Sequence, residues 1–166
     1  MIKIEESGMV FGPYAKSDCY VIEKSKSLKG LGEGVKIAEF VLLKNNFLWI
    51  VEAKSSMPKV TDDFLCEIHD KLLNSLTLTL MGIVGRHDSF QKELPVKIRQ
   101  VCLKNLPIKL CLVISAEFLK DNSQLPPINE KFRKIMKSVR KTWKVTYDNI
   151  LILNEEMAIK QGLINE

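Results

Sequence analysis

Glu52, Ala53 and Lys54 close the stretch FLWIVEAKSS, where five apolar residues run straight into two charges. Side chains alternate along a strand, so Glu52 and Lys54 share one face, about 7 Å apart. A second candidate strand, VKIAEFVLL (35–43), lies just upstream, separated by Lys44-Asn45-Asn46. Asn tolerates positive φ, so Asn45-Asn46 is expected to form a two-residue hairpin turn. That turn sets a register: Lys44 faces Phe47, Leu43 faces Leu48, Val41 faces Ile50 and Glu39 faces Glu52. Two carboxylates would then stand about 5 Å apart at Cβ, with apolar Ile37 and Val41 flanking Glu39 on its own strand face. Desolvation and mutual repulsion push one of them toward protonation. A divalent cation removes the conflict. Mg²⁺ is the expected ion, because it binds through one or two carboxylates plus waters and phosphate, and Mn²⁺ can replace it.

The competing reading is a structural ion pair, with Lys54 neutralising Glu52. Three features favour chemistry. The tripeptide ends a buried strand, it is the chain's sole Asp/Glu-x-Lys, and a second buried acid is expected opposite it. An acid, a variable spacer and then Glu-x-Lys at the end of the next hairpin strand resembles the PD-(D/E)xK nuclease pattern. AEFVLLKNNFLWIVEAK carries the likeness, with Glu39 as the first acid and Glu52-Ala53-Lys54 as the second half. The long helix and further strand after the motif also resemble that family, so the likeness spans roughly residues 35–115. It departs from the pattern in having Ala38 for the usual Pro and Glu39 for the usual Asp. No N-terminal helix with a further acid is read here, which leaves Glu5, Glu6 and Glu23 as stand-ins.

The resemblance implies a restriction-endonuclease-like core: a central mixed sheet, a hairpin carrying the motif and flanking helices. It implies that Glu39, Glu52 and the Ala53 backbone carbonyl hold one Mg²⁺, while Lys54 orients water or offsets phosphate charge. The implied activity is hydrolysis of phosphodiester bonds in nucleic acid, DNA before RNA. The alternative is a nucleic-acid-binding or assembly protein that keeps the nuclease fold without turnover.

Other residues could serve such a site. NEKFRKIMKSVRKTWK carries seven basic residues and one acid. Lys134, Lys137, Arg140 and Lys141 are the candidates for phosphate contact, against the plainer reading of a solvated helix face. Ser55 and Ser56 follow the motif and read as strand-ending polar residues, with phosphate donation as the alternative. Arg86, His87 and Asp88 read as a helix end before they read as a substrate loop. Glu67, Lys71 and Asn74 could line the site from the helix after the motif, though each alone reads as surface.

The elements that must position these residues follow from patterning. Strands are expected at 1–6, 19–25, 35–43, 47–54, 108–115 and 149–153. GMVFGPYAKSD reads as a loop from its Gly and Pro, and 89–105 stays ambiguous because of Pro95. Phe64, Ile68, Leu72, Leu76, Leu80 and Ile83 recur at helical spacing, giving a helix from Thr61, as cap, to about Arg86. Pro126-Pro127 precedes a second helix, from Asn129 to about Trp143, and a short helix closes the chain. This pattern makes a single mixed α/β or α+β domain over residues 1–166. Net charge is +5, a weak pointer to an anionic partner. No apolar run spans a membrane and no signal peptide is read, so a cytoplasmic protein is expected. Oligomeric state stays open, a homodimer included. Cys19, Cys66, Cys102 and Cys111 form no CxxC pair, and neither His69 nor His87 stands at metal-ligand spacing from them. They are expected as buried free thiols.

Overall fold

The computed structural model describes residues 1–58, 61–115 and 122–165. A five-stranded sheet is built from β3 (Cys19–Tyr20), β4 (Phe40–Lys44), β5 (Phe47–Lys54), β6 (Ile108–Ile114) and β7 (Ile150–Asn154), side by side in chain order. β3, β4 and β5 are antiparallel neighbours, while β5, β6 and β7 are parallel. The sheet is therefore mixed, with helices in the connections of its parallel half, as crossovers require. β1 (Ile2–Glu6) and β2 (Met9–Tyr14) make a separate hairpin.

Alternation along β5 divides the core in two. Leu48 and Ile50 pack with Ile68, Leu72 and Leu76 of the long helix α1 (Thr61–Ile83). Trp49, Val51 and Ala53 face the other way, onto Phe11 and Tyr14 of β2 and onto Leu163. Both faces are covered, which is why β5 and β6 read as nearly unbroken apolar runs. α2 (Asp88–Glu93) and α3 (Val96–Arg99) follow α1, and α4 (Leu125–Ile135) and α5 (Lys137–Thr142) lead into β7. α6 (Glu155–Lys160) ends the fold, with Asn154 accepting from the Met157 amide as its cap. The open edge of β7 is closed by α4: Asn129 donates to the Ile152 carbonyl and accepts from its amide, and Arg133 donates to the Ile150 carbonyl. Side chains thereby take up backbone groups that an edge strand would otherwise offer to another chain.

Several expectations need correcting. GMVFGPYAKSD is not a loop throughout, since Met9–Tyr14 is a strand that includes Gly12 and Pro13. Pro is tolerated there because β1 is the one strand laddered on β2, whose other side makes only isolated bridges, from Phe11 and Gly12 to Ile164. The 19–25 strand shrinks to Cys19–Tyr20 and continues as a 3₁₀ turn at Ile22–Lys24. α1 stops at Ile83, and Gly85 then takes φ +73° in the turn before α2. Thr61 is the first helical residue, and its hydroxyl accepts from Lys131. The basic helix begins at Leu125, with Pro126 and Pro127 inside its first turn, where proline's missing N–H costs nothing. It breaks at Met136 into α4 and α5. Cys19 and Cys111 are buried, but Cys66 and Cys102 are exposed; all four are free. No helix among the described residues is long and apolar enough to cross a membrane.

Candidate metal and phosphate site

The hairpin follows the expected register for most of its length. Asn45 and Asn46 take φ of 51° and 62°, and Lys44, Leu43 and Val41 pair with Phe47, Leu48 and Ile50. Phe40 then pairs with Val51, but the Glu39 amide also donates to the Val51 carbonyl, at 3.1 Å. Two residues oppose one, a bulge that slips the chain by one position. Glu39 therefore does not sit in a direct cross-strand pair with Glu52, and 35–39 leave the strand. The Ala38 amide, which a continued ladder would aim at Ala53, goes instead to the Ser75 hydroxyl at 2.8 Å. In β5 the Val51 carbonyl points toward β4 and the Lys54 carbonyl toward β6, where it accepts from Ser115. By that alternation the Ala53 carbonyl points past the end of β4.

α1 organises the site from above through one face. Glu67 pairs with Lys36 (3.9 Å), Asn74 donates to the Lys36 carbonyl (3.0 Å) and Ser75 holds Ala38. These residues, spaced three and four apart, share a helix face with Lys71. They fix the segment that delivers Glu39, and Lys71 reaches Glu52. The Glu52 side chain is wholly buried, with Oε1 taking two ammonium groups, Lys71 Nζ at 2.8 Å and Lys54 Nζ at 3.0 Å. Its other oxygen, Oε2, is buried without a partner. Leaving such an oxygen bare is costly, and most buried polar groups are paired.

Glu39 is 5% exposed. Burial, a hydrogen bond with Glu23 and the charges of Glu52, Glu23 and Glu6 push its carboxyl up to about 8. Burial also raises Glu52, while Lys71 and Lys54 oppose that rise. Burial pulls the Lys71 ammonium down, but its bond to Glu52 and the charges of Glu52 and Glu39 outweigh it and leave it raised. Both carboxylates thus act on Lys71, Glu52 by direct contact and Glu39 through its charge alone.

Glu6 at the end of β1 and Glu23 in the 3₁₀ turn each offer an oxygen within 4.8 Å of the others and of Glu39. The Glu23 segment is held by Glu93 of α2. Glu93 accepts from the Tyr20 hydroxyl (3.2 Å), the Ser25 hydroxyl (2.9 Å), the Lys26 amide (3.1 Å), and the Ser27 amide and hydroxyl. Nothing in the local pattern around Glu93 signals this anchor, because its donors lie far off in sequence. Lys71 carried a weak sequence signal, its i+4 spacing from Glu67 on the helix after the motif.

The other candidates stand apart. Ser55 and Ser56 are exposed just beyond β5. Arg86 and His87 follow the far end of α1, about 18 Å along the helix from Lys71 at 1.5 Å per residue, and both amides accept the helix-end role by donating to the Met81 carbonyl. Among the basic residues, Lys131 pairs with Asp62 and Arg133 is tied to β7 and stacked on Tyr147. Lys134, Lys137 and Lys141 are exposed, and Arg140 is half-buried near Tyr147. Comparison with protein-family models, curated proteins and solved structures finds no match to the chain.

Proposed function

We propose that the chain is a Mg²⁺-dependent nuclease with a restriction-endonuclease-like core, hydrolysing phosphodiester bonds of DNA or RNA. One observation carries the reading: a fully buried carboxylate, Glu52, has one oxygen without a partner while a second buried acid, Glu39, lies in its field. A hard cation with oxygen ligands suits that donor set. Glu39, Glu52 and the Ala53 carbonyl would hold it, and Glu6 and Glu23 lie close enough to Glu39 to add oxygens. Bound there, the ion would polarise a phosphate oxygen and lower the pKa of a water. Lys54, with 28% of its side chain exposed, would orient the attacking water and offset charge developing on the phosphate. The exposed Lys134, Lys137 and Lys141, with Arg140, would draw the nucleic-acid backbone toward the protein.

A second reading has its own support. Two lysines already sit on Glu52 Oε1, as in a buried ion cluster of a nucleic-acid-binding protein without turnover. Nicking of plasmid and cleavage of single-stranded substrates, with Mg²⁺, with Mn²⁺ and with chelator, decide between them. The nuclease reading expects cleavage only with a divalent ion, reduced about 10²- to 10³-fold in Lys54→Ala. Nucleic-acid binding that ignores magnesium, with no cleavage, establishes the second reading instead.

A further inference from the structure

Glu52 and Lys71 are arranged unlike an ordinary structural ion pair. Both ammonium groups, Lys71 at 2.8 Å and Lys54 at 3.0 Å, crowd onto Oε1, and buried Oε2 receives nothing. A pair serving stability alone gains most when both carboxylate oxygens are used, and a half-satisfied one is poor value in a dry site. Two ammonium groups also repel each other at a single carboxylate oxygen. Lys71 sits on a flexible four-carbon stem, its side chain 15% exposed, so its ammonium can leave Glu52 without a backbone change.

We propose that Lys71 is the resident counter-ion of Glu52 in the metal-free protein, and that a divalent cation displaces it. This inference rests on the metal reading above. The cation would take up the bare oxygen, and repulsion would drive the Lys71 ammonium off the carboxylate. Freed, it would lie beside Lys54 as a second positive group for an anionic ligand. The site would thus be held closed by its own lysine until metal arrives, and metal affinity would be set partly by the cost of that displacement.

Mn²⁺ titration, followed by loss of the free-ion paramagnetic resonance signal, tests this on the parent, Lys71→Met and Lys71→Arg. Removing a competing like charge should tighten Mn²⁺ binding on the order of tenfold in Lys71→Met, within the range of couplings between linked sites. Lys71→Arg, which keeps the charge and grips a carboxylate with two donors, should bind Mn²⁺ no tighter than the parent and covers the case in which the methionine variant does not fold. Binding by Lys71→Met where the parent binds nothing would also support the proposal, since the lysine would then have held the site outright. Equal or weaker binding in Lys71→Met while the parent binds overturns the displacement but leaves the metal reading standing. A folded Lys71→Met and a parent that both ignore Mn²⁺ overturn both. If only the arginine variant folds, Mn²⁺ binding tighter than the parent's overturns the displacement.

Discussion

Glu93 and Glu52 are both carboxylates drawn into the fold, and they differ in how completely they are satisfied. Glu93 uses both oxygens, accepting from Tyr20, Ser25, Lys26 and Ser27. Burial would raise its carboxyl, but the bonds from Ser27, Ser25 and Tyr20 hold it below the usual carboxylate range. Glu52 is more deeply buried, uses one oxygen and is raised. The first carboxylate closes a network and anchors the segment that carries Glu23. The second leaves a network open where Glu39 and the end of β5 converge. Completed polar networks stabilise, and incomplete ones in a native interior call for an explanation such as an unmade ligand contact.

The largest expected effect separates these two roles. Glu52→Gln should abolish Mg²⁺-dependent cleavage, since the amide keeps the volume but not the charge, as plasmid nicking would show. It should also leave Lys71 and Lys54 without their carboxylate, costing roughly 1–3 kcal/mol in denaturant unfolding, less than a fully buried broken pair because both lysines reach solvent. An unchanged unfolding midpoint would mean that the lysines contribute nothing to holding Glu52.

Glu93→Ala strips acceptors from several donors at once and should cost about 1–3 kcal/mol by the same measurement. Its Mn²⁺-induced rise in Tm should survive, whereas that of Glu52→Gln should vanish. A Glu93 variant that loses the metal response as fully as Glu52→Gln would erase the distinction between the two carboxylates.

A smaller effect concerns pH. Glu39 is raised from 4.5 to about 8, so the folded protein keeps a proton that the unfolded chain has lost between those values. Stability should therefore fall as pH rises through that window, by less than the limiting ~1.4 kcal/mol per unit. Glu39→Gln cannot titrate and should flatten that fall in Tm. A slope identical in parent and variant would place the pH sensitivity elsewhere.

The smallest effect lies on the basic surface. Changing Lys137 and Lys141 to Glu should weaken nucleic-acid binding for all sequences alike and reduce its salt dependence, read as the slope of affinity against salt concentration. Unchanged binding would return α4 and α5 to a solvated surface.

The parts legible in the sequence were those written in local pattern. The Asn45-Asn46 turn, the apolar runs of β5 and β6, and the helical stripe from Ile68 to Leu80 each follow from residues close in the chain. Glu52 and Lys54 stood out because a charge at the end of an apolar strand breaks the pattern. The bulge at Glu39 did not show, since it arises where Ser75 of α1 captures the Ala38 amide. β2 was hidden by Gly12 and Pro13, whose turn character is overridden by pairing with β1. The gathering of Glu6 and Glu23 beside Glu39 depends on where a hairpin and a 3₁₀ turn dock, which no local spacing records.

The most direct test of the account is anomalous diffraction from crystals soaked in Mn²⁺. A peak coordinated by Glu39 and Glu52, with Lys71 Nζ moved away from Glu52 Oε1, is the predicted result. A Mn²⁺-soaked crystal with no peak between those carboxylates, and with both lysines still on Oε1, would contradict it.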